Sequence, residues 1–162
     1  MIFLSILSFR KSLSGLLKAK REEYVSIKSD ITKSFCGKNP DEIYSCPDMI
    51  YQDKNLKVIK MRLPNTASKT SKRDGYRLIY LINNKKDVVG LLYTYPKNGS
   101  LRQIDVTKNA LNDFFAEYIK GYVNKSLVCH DITNDLSVNN KDLCNMTDCE
   151  HEQIACEPNY IS

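Results

Sequence analysis

The side chains with the greatest capacity for chemistry in this chain are cations, and they are concentrated. Between Lys57 and Lys86 stand nine of them (Lys57, Lys60, Arg62, Lys69, Lys72, Arg73, Arg77, Lys85 and Lys86) against one acid, Asp74, with tyrosines at 76, 80, 93 and 95. Cations at that density neutralise phosphates and release condensed counterions, and tyrosine rings stack on unpaired bases, so the expected partner is nucleic acid. The competing reading is a solvated basic face with the tyrosines packed in the core.

The elements that must position these residues follow from periodicity. An apolar run over residues 2–7 fits a first strand, and Phe9, Leu13, Leu16 and Leu17 then recur at helical spacing, predicting a helix over about residues 9–21. Tyr24, Ile27, Ile31 and Phe35 form a second helical stripe stopped by Gly37 and Pro40, so the pair reads as a helical hairpin. Residues 37–55 read as a loop with a helical turn at 41–45. From Lys57 the period becomes two: Ile59, Met61 and Leu63 alternate with Val58, Lys60 and Arg62, which places Lys60 and Arg62 on one face of a strand. After a Ser/Thr/Lys-rich loop to Asp74, residues 76–82 and 88–95 predict two strands joined as a hairpin. Leu111, Phe114, Phe115, Tyr118 and Ile119 then mark a helix that starts after Thr107, an N-cap residue.

Composition bounds the rest. The 162 residues suffice for one domain, and 42% hydrophobic with 27% charged residues is a globular balance that permits a core. The net charge of +5 conceals an asymmetry: residues 1–121 carry 22 lysines and arginines against 12 acids, whereas 122–162 carry 2 against 7. A basic domain over 1–121 is therefore expected to bear an acidic, weakly structured tail over 122–162. The longest apolar stretch, residues 1–9, is half a membrane span and lacks signal-peptide flanks, so the expectation is a cytoplasmic protein without membrane contact and with its six cysteines reduced.

Three strings in a fixed order carry a more specific signal: Lys60-Met61-Arg62-Leu63, then Gly75-Tyr76-Arg77-Leu78-Ile79-Tyr80, then Tyr93-Thr94-Tyr95-Pro96-Lys97-Asn98. Together with the helices around them they resemble the RelE-like toxin superfamily, in its HigB-type branch, over residues 1–120. The resemblance implies an α+β fold of the RelE-like kind, in which an antiparallel sheet of three to four strands packs with an N-terminal helical hairpin and a C-terminal helix. It also implies an endoribonuclease that cuts messenger RNA on the ribosome and is silenced by a cognate antitoxin. Cutting RNA without a metal requires a group to accept the 2′-hydroxyl proton, cations for the pentavalent phosphate and a proton for the leaving 5′-oxygen. The only histidines are His130 and His151, outside the basic domain, which excludes a two-histidine mechanism there. A clustered lysine can serve instead, because neighbouring cations favour its free amine.

On the matching positions, Lys60 is the implied base and Arg62 and Arg77 the phosphate clamps. Lys97 helps hold the RNA backbone, Tyr80 or Tyr95 stacks on a base, and Lys57, Lys69, Lys72, Arg73 and Arg102 extend the binding surface. The chain departs from the pattern where RelE itself has an Arg after the last Lys and a Tyr a few residues on; here these are Asn98 and approximately Ile104. The proton donor to the leaving group is therefore unassigned, and no cofactor is implied. Lys60 and Arg62 have the alternative reading of edge-strand charges that discourage aggregation. Arg77, among apolar neighbours on what should be a central strand, needs pairing or a functional surface. Two other functions remain open: a gyrase-inhibiting toxin of the ParE type, and a non-catalytic RNA- or protein-binding module. In the tail, Cys129, His130, Cys144, Cys149, His151 and Cys156 lack the tight Cys-x2-Cys knuckles of structural zinc sites. A further reading lays the acidic tail over the basic patch.

Overall fold

The structure, a computed structural model, describes residues 1–83, 85 and 87–139. In chain order the elements are β1 (Ile2–Ser5), α1 (Leu7–Leu17), a 3-10 turn (Lys20–Glu22), α2 (Ile27–Phe35), α3 (Pro40–Tyr44), β2 (Met49–Gln52), β3 (Leu56–Leu63), β4 (Tyr76–Asn83), β5 (Val88–Pro96), α4 (Lys108–Val123), β6 (Val128–Asp131) and β7 (Ser137–Val138). The strands form one mixed sheet in the order β2-β3-β4-β5-β1-β6-β7. β1 runs parallel to β5, with Ile2 opposite Val88 and Ser5 opposite Leu91, and every other pairing is antiparallel.

This corrects the expected fold: the sheet has seven strands and is mixed, where the resemblance to RelE-like toxins implied three to four antiparallel ones. The predicted meander is present as β3-β4-β5. The additional strands are short: β2 emerges from the segment read as loop, and β6 and β7 from the segment read as a weakly structured tail. Strands of two to four residues show no measurable alternation, and they exist because longer neighbours complete their backbone hydrogen bonds. The helix predicted over 9–21 is α1 over Leu7–Leu17 and a separate 3-10 turn, since Arg21 and Glu22 adopt positive φ of 64° and 55°.

Helices cover both faces of the central strands. On one face Tyr76 and Tyr80 of β4 meet Tyr24 and Phe35 edge-on, at ring separations of 6.1 and 5.2 Å, and Phe9, Leu13, Ile27 and Ile31 fill the layer above. Bringing several aromatic and branched side chains wholly out of water contributes about 2 kcal/mol each before entropy is counted. On the other face α4, capped by the Thr107 side chain accepting from the Ala110 amide at 3.2 Å, lays Tyr118 so close to β5 that a Cβ on Gly90 would lie 2.6 Å from its ring. Phe114 stacks on Tyr93 at 4.9 Å and Phe115 meets Tyr51 at 5.9 Å. The short α3 is held by a reciprocal capping box, Asn39 Oδ1 accepting from the Glu42 amide at 2.9 Å and Glu42 Oε2 from the Asn39 amide at 2.8 Å.

β6 is locked to β1 by a buried histidine. His130 Nδ1 donates to the Leu136 carbonyl at 2.8 Å, which leaves Nε2 to accept from the Ser5 hydroxyl at 2.7 Å. Burial, reinforced by the charges of Arg10 and Lys28, pushes the imidazole below its ordinary pKa against the pull of the Leu136 carbonyl. The neutral ring is thus the folded-state form, and the unfolded chain binds the proton more readily. Stability is fully present above the ordinary histidine pKa and falls as pH drops through the folded-state value. We expect the urea midpoint of the wild type to fall more steeply than that of His130→Asn between about pH 7 and pH 5. Parallel curves for the two proteins would show that this ring does not titrate with unfolding.

Candidate nucleic-acid interface

α4 covers only one end of its sheet face. Beyond its first turn the same face emerges uncovered, and the period-two geometry of β3 and β4 delivers Lys60, Arg62 and Arg77 to it. In register, Arg62 lies directly opposite Arg77, Arg77 opposite Tyr95, and Lys60 opposite Ile79. Lys60, Arg62, Arg77 and Tyr95 line an open cavity of about 410 Å³, completed by Lys97, by Pro47 to Ile50 leading into β2, and by Ile104 and Asp105 before α4. Five of the residues marked out in the sequence, Lys60, Arg62, Arg77, Tyr95 and Lys97, therefore share one cleft. Two arginines directly opposite on paired strands repel, so nothing in sheet stability accounts for this arrangement.

Each cation is held differently. The Arg77 guanidinium donates to the carbonyls of Lys72 at 3.1 Å, Tyr76 at 3.0 Å and Arg73 at 2.8 Å, which leaves two of its five N–H donors unused among the described residues. Burial, together with Arg62, lowers its pKa, while Tyr95, Asp48 and Asp74 act in the opposite sense; a guanidinium stays charged regardless. Lys60 Nζ donates to both oxygens of Asp105, at 3.1 and 3.2 Å, with the lysine side chain 30% and the aspartate 56% exposed. Lys97 Nζ donates to the Ile104 carbonyl. Arg62 is exposed and makes no hydrogen bond or ion pair among the described residues.

Asp105 is the acid at the centre of this arrangement. Its Oδ1 also accepts from the Val106 amide at 2.7 Å and from the Tyr95 hydroxyl at 3.1 Å. Partial burial pushes its carboxyl up, but the Val106 amide, Lys60 and Tyr95 together outweigh that and hold it below the usual carboxylate range. The Tyr95 phenol is displaced the other way, by burial first and by the Asp105 charge second, so it remains a protonated donor.

The remaining residues marked out in the sequence lie elsewhere. Lys57 has the opposite parity to Lys60 and turns to the other sheet face, where Nζ donates to the Tyr44 carbonyl at 2.6 Å and sits 5.1 Å from the Tyr44 ring centroid. Tyr80 is likewise of opposite parity to Arg77; it is fully buried against Phe35 and cannot stack on a base. Tyr95 is 2% exposed, so it offers its hydroxyl to the cleft and not its ring face. Lys69, Lys72 and Arg73 lie exposed on the 64–75 loop, whose carbonyls grip Arg77, and Arg102 lies in the exposed turn after Gly99. The sequence reading passed over Asp105 and Asp48. Asp105 lies 45 residues from Lys60, and no local pattern reports a contact at that distance.

The two loops beside the cleft are anchored on the segment between α1 and α2 and on the first turn of α2. The Glu23 carbonyl accepts from Asn65 Nδ2 at 2.9 Å and Ser68 Oγ at 3.0 Å, and its carboxylate accepts from the Ser100 amide and hydroxyl at 2.9 and 2.8 Å. Tyr24 donates its hydroxyl proton to the Asn98 carbonyl at 3.0 Å and accepts from the Leu101 amide at 3.0 Å. Buried Asp30 accepts from the Thr66 amide and hydroxyl at 3.1 and 2.9 Å. Gly75 permits the turn into β4, since a Cβ there would lie 2.2 Å from the Leu63 carbonyl oxygen.

No protein-family model matches the chain, and no curated protein matches it. Among the described residues no helix is long and apolar enough to cross a membrane. Among the same residues no three His, Cys, Asp or Glu side chains gather as metal ligands; Cys129 and His130 are buried in β6, while Cys144, Cys149, His151 and Cys156 lie outside the described residues. Tyr24→Phe tests the anchoring. Deleting the hydroxyl strands the Leu101 amide, and we expect a loss of about 1 kcal/mol with faster amide exchange over residues 98–105 but not over 64–75. Equal acceleration in both loops would mean that Tyr24 acts through global stability and not through the 97–105 segment.

Proposed function

We propose that this chain is the toxin of a toxin–antitoxin pair, an endoribonuclease that cleaves messenger RNA on the ribosome at the cleft of Lys60, Arg62 and Arg77. The observation that carries the reading is the facing pair Arg62 and Arg77 at the open end of a sheet face, flanked by Lys60 and Lys97. Mutually repelling cations in a concave site are relieved by a polyanion that bends into it, and a phosphodiester is an anion of the right size. The order of motifs through residues 60–98, which resembles that of RelE-like toxins, supports the choice of RNA cleavage over simple RNA binding.

In this reading the 2′-oxygen attacks the adjacent phosphorus, the bond to the 5′-oxygen breaks, and a 2′,3′-cyclic phosphate and a 5′-hydroxyl result. Arg62 and the two unused N–H donors of Arg77 hold the equatorial oxygens as charge builds on them, the kind of preorganised donor whose loss costs about 10²- to 10³-fold in rate. Once a phosphodiester has displaced Asp105, Lys60 gives up its ammonium proton to water, and the free amine then accepts the 2′-hydroxyl proton. The leaving 5′-oxygen takes its proton from water, which makes naked RNA a slow substrate and leaves the ribosome to orient the message.

Arg62→Ala is the cleanest test, because that side chain supports no other residue of the fold. Its expected effect is a fall of about 100-fold in cleavage of ribosome-bound message with an unchanged melting temperature. A 2′-deoxy nucleotide at the scissile position should abolish cutting, and expression should arrest growth until a small partner protein is supplied. Cleavage of the deoxy substrate would overturn the mechanism. RNA binding without any cleavage would reduce the chain to a binding module, and growth arrest with intact message but inhibited gyrase would assign it the ParE-type activity.

A further inference from the structure

Three of the four cleft cations are already occupied from within the chain, and two of these three are held by consecutive residues. Lys97 donates to the Ile104 carbonyl and Lys60 to both Asp105 oxygens, while the Tyr95 hydroxyl reaches the same carboxylate. A carboxylate that presents two oxygens to an ammonium and one of them also to a phenol occupies the same donors that two non-bridging phosphate oxygens would use. The segment bearing it is exposed, and Ile104 is 86% exposed, so burial does not hold it in place. What holds it is a set of backbone hydrogen bonds, the Val106 amide on the carboxylate and Gln103 Nε2 on the Asp105 carbonyl, together with the cleft's own Lys60 and Tyr95.

We propose that Asp105 is an internal stand-in for the substrate phosphate: its carboxylate closes the cleft by occupying Lys60 and Tyr95, and a phosphodiester opens it by displacing that carboxylate. The inference rests on the reading of the cleft as a phosphodiester site. It assigns Asp105 the role of a positioning residue that sets the affinity for RNA, through its competition for Lys60, and that keeps Lys60 in place while the cleft is empty. At low salt the phosphodiester prevails, because a half-exposed ion pair is worth less than several phosphate contacts supply there.

Asp105→Asn keeps one oxygen for the Val106 amide and the Tyr95 hydroxyl, while it removes the charge and turns the second acceptor of Lys60 into an N–H donor. Binding of a labelled single-stranded RNA octamer at low salt should strengthen up to about fivefold in this variant. The gain should vanish in the Lys60→Met background, and Asp135→Asn, which makes the same change of net charge at the opposite edge of the sheet, should not reproduce it. Wild-type binding that depends on Arg62 but is unchanged by Asp105→Asn would overturn the stand-in role and leave the functional reading intact. A gain that persists without Lys60, or that Asp135→Asn matches, would reduce the effect to net charge and overturn it as well. Absence of RNA binding by both wild type and Asp105→Asn would remove the functional reading and this inference together.

Discussion

Arg62 and Arg77 face each other across paired central strands, and a sheet built only for stability does not put two guanidinium groups there. Several neighbouring features answer that repulsion. The 64–75 loop curls back so that two of its carbonyls, with that of Tyr76 at the start of β4, grip Arg77, and Gly75 makes the curl sterically possible. The segment after the next strand contributes the carboxylate that takes up Lys60, and that strand's buried tyrosine donates its hydroxyl to the same carboxylate. Arg62 remains the cation without such an answer among the described residues, and it marks where an outside anion has most to gain.

Rigidity around the cleft comes from far along the chain. Glu23 and Tyr24, in the turn between α1 and α2, fasten both flanking loops with hydrogen bonds that span 42 to 77 residues. Most of these bonds use backbone groups on at least one side, so they restrain the course of the loops and leave the cationic side chains at the rim free to adapt. The sheet beneath is tied at its other edge by His130 and Ser5. The outcome is a cleft whose two flanking loops are fixed in their backbone course from one distant segment.

The size of the sheet separates the fold from the one implied by the motifs at residues 60–98. A mixed sheet of seven strands surrounds the predicted β3-β4-β5 meander, with parallel β1 on its interior side and two strands after α4 beyond that. The proposed chemistry depends on the cleft and not on the fold's name, since sites of one kind occur on unrelated frames. What the cleft itself offers is a set of cations in a concave site, a lysine beside a carboxylate, and no imidazole among the described lining residues.

Sequence alone determined the parts governed by short-range periodicity. Alternation over Lys57 to Leu63 placed Lys60 and Arg62 on one face, the stripes of α1, α2 and α4 marked their buried sides, and Thr107 capped α4 as its type and position demand. The same alternation, carried one step further, also puts Lys57 and Tyr80 on the wrong face for a site with Lys60 and Arg77. Only the tertiary structure decided that β1 lies parallel to β5, that β2, β6 and β7 extend the sheet, and that Asp105 reaches Lys60. Those outcomes depend on contacts between residues far apart in the chain, where the choice of partner is made by packing and by hydrogen-bond completion of whole elements, and neither leaves a mark on the local order of amino acids.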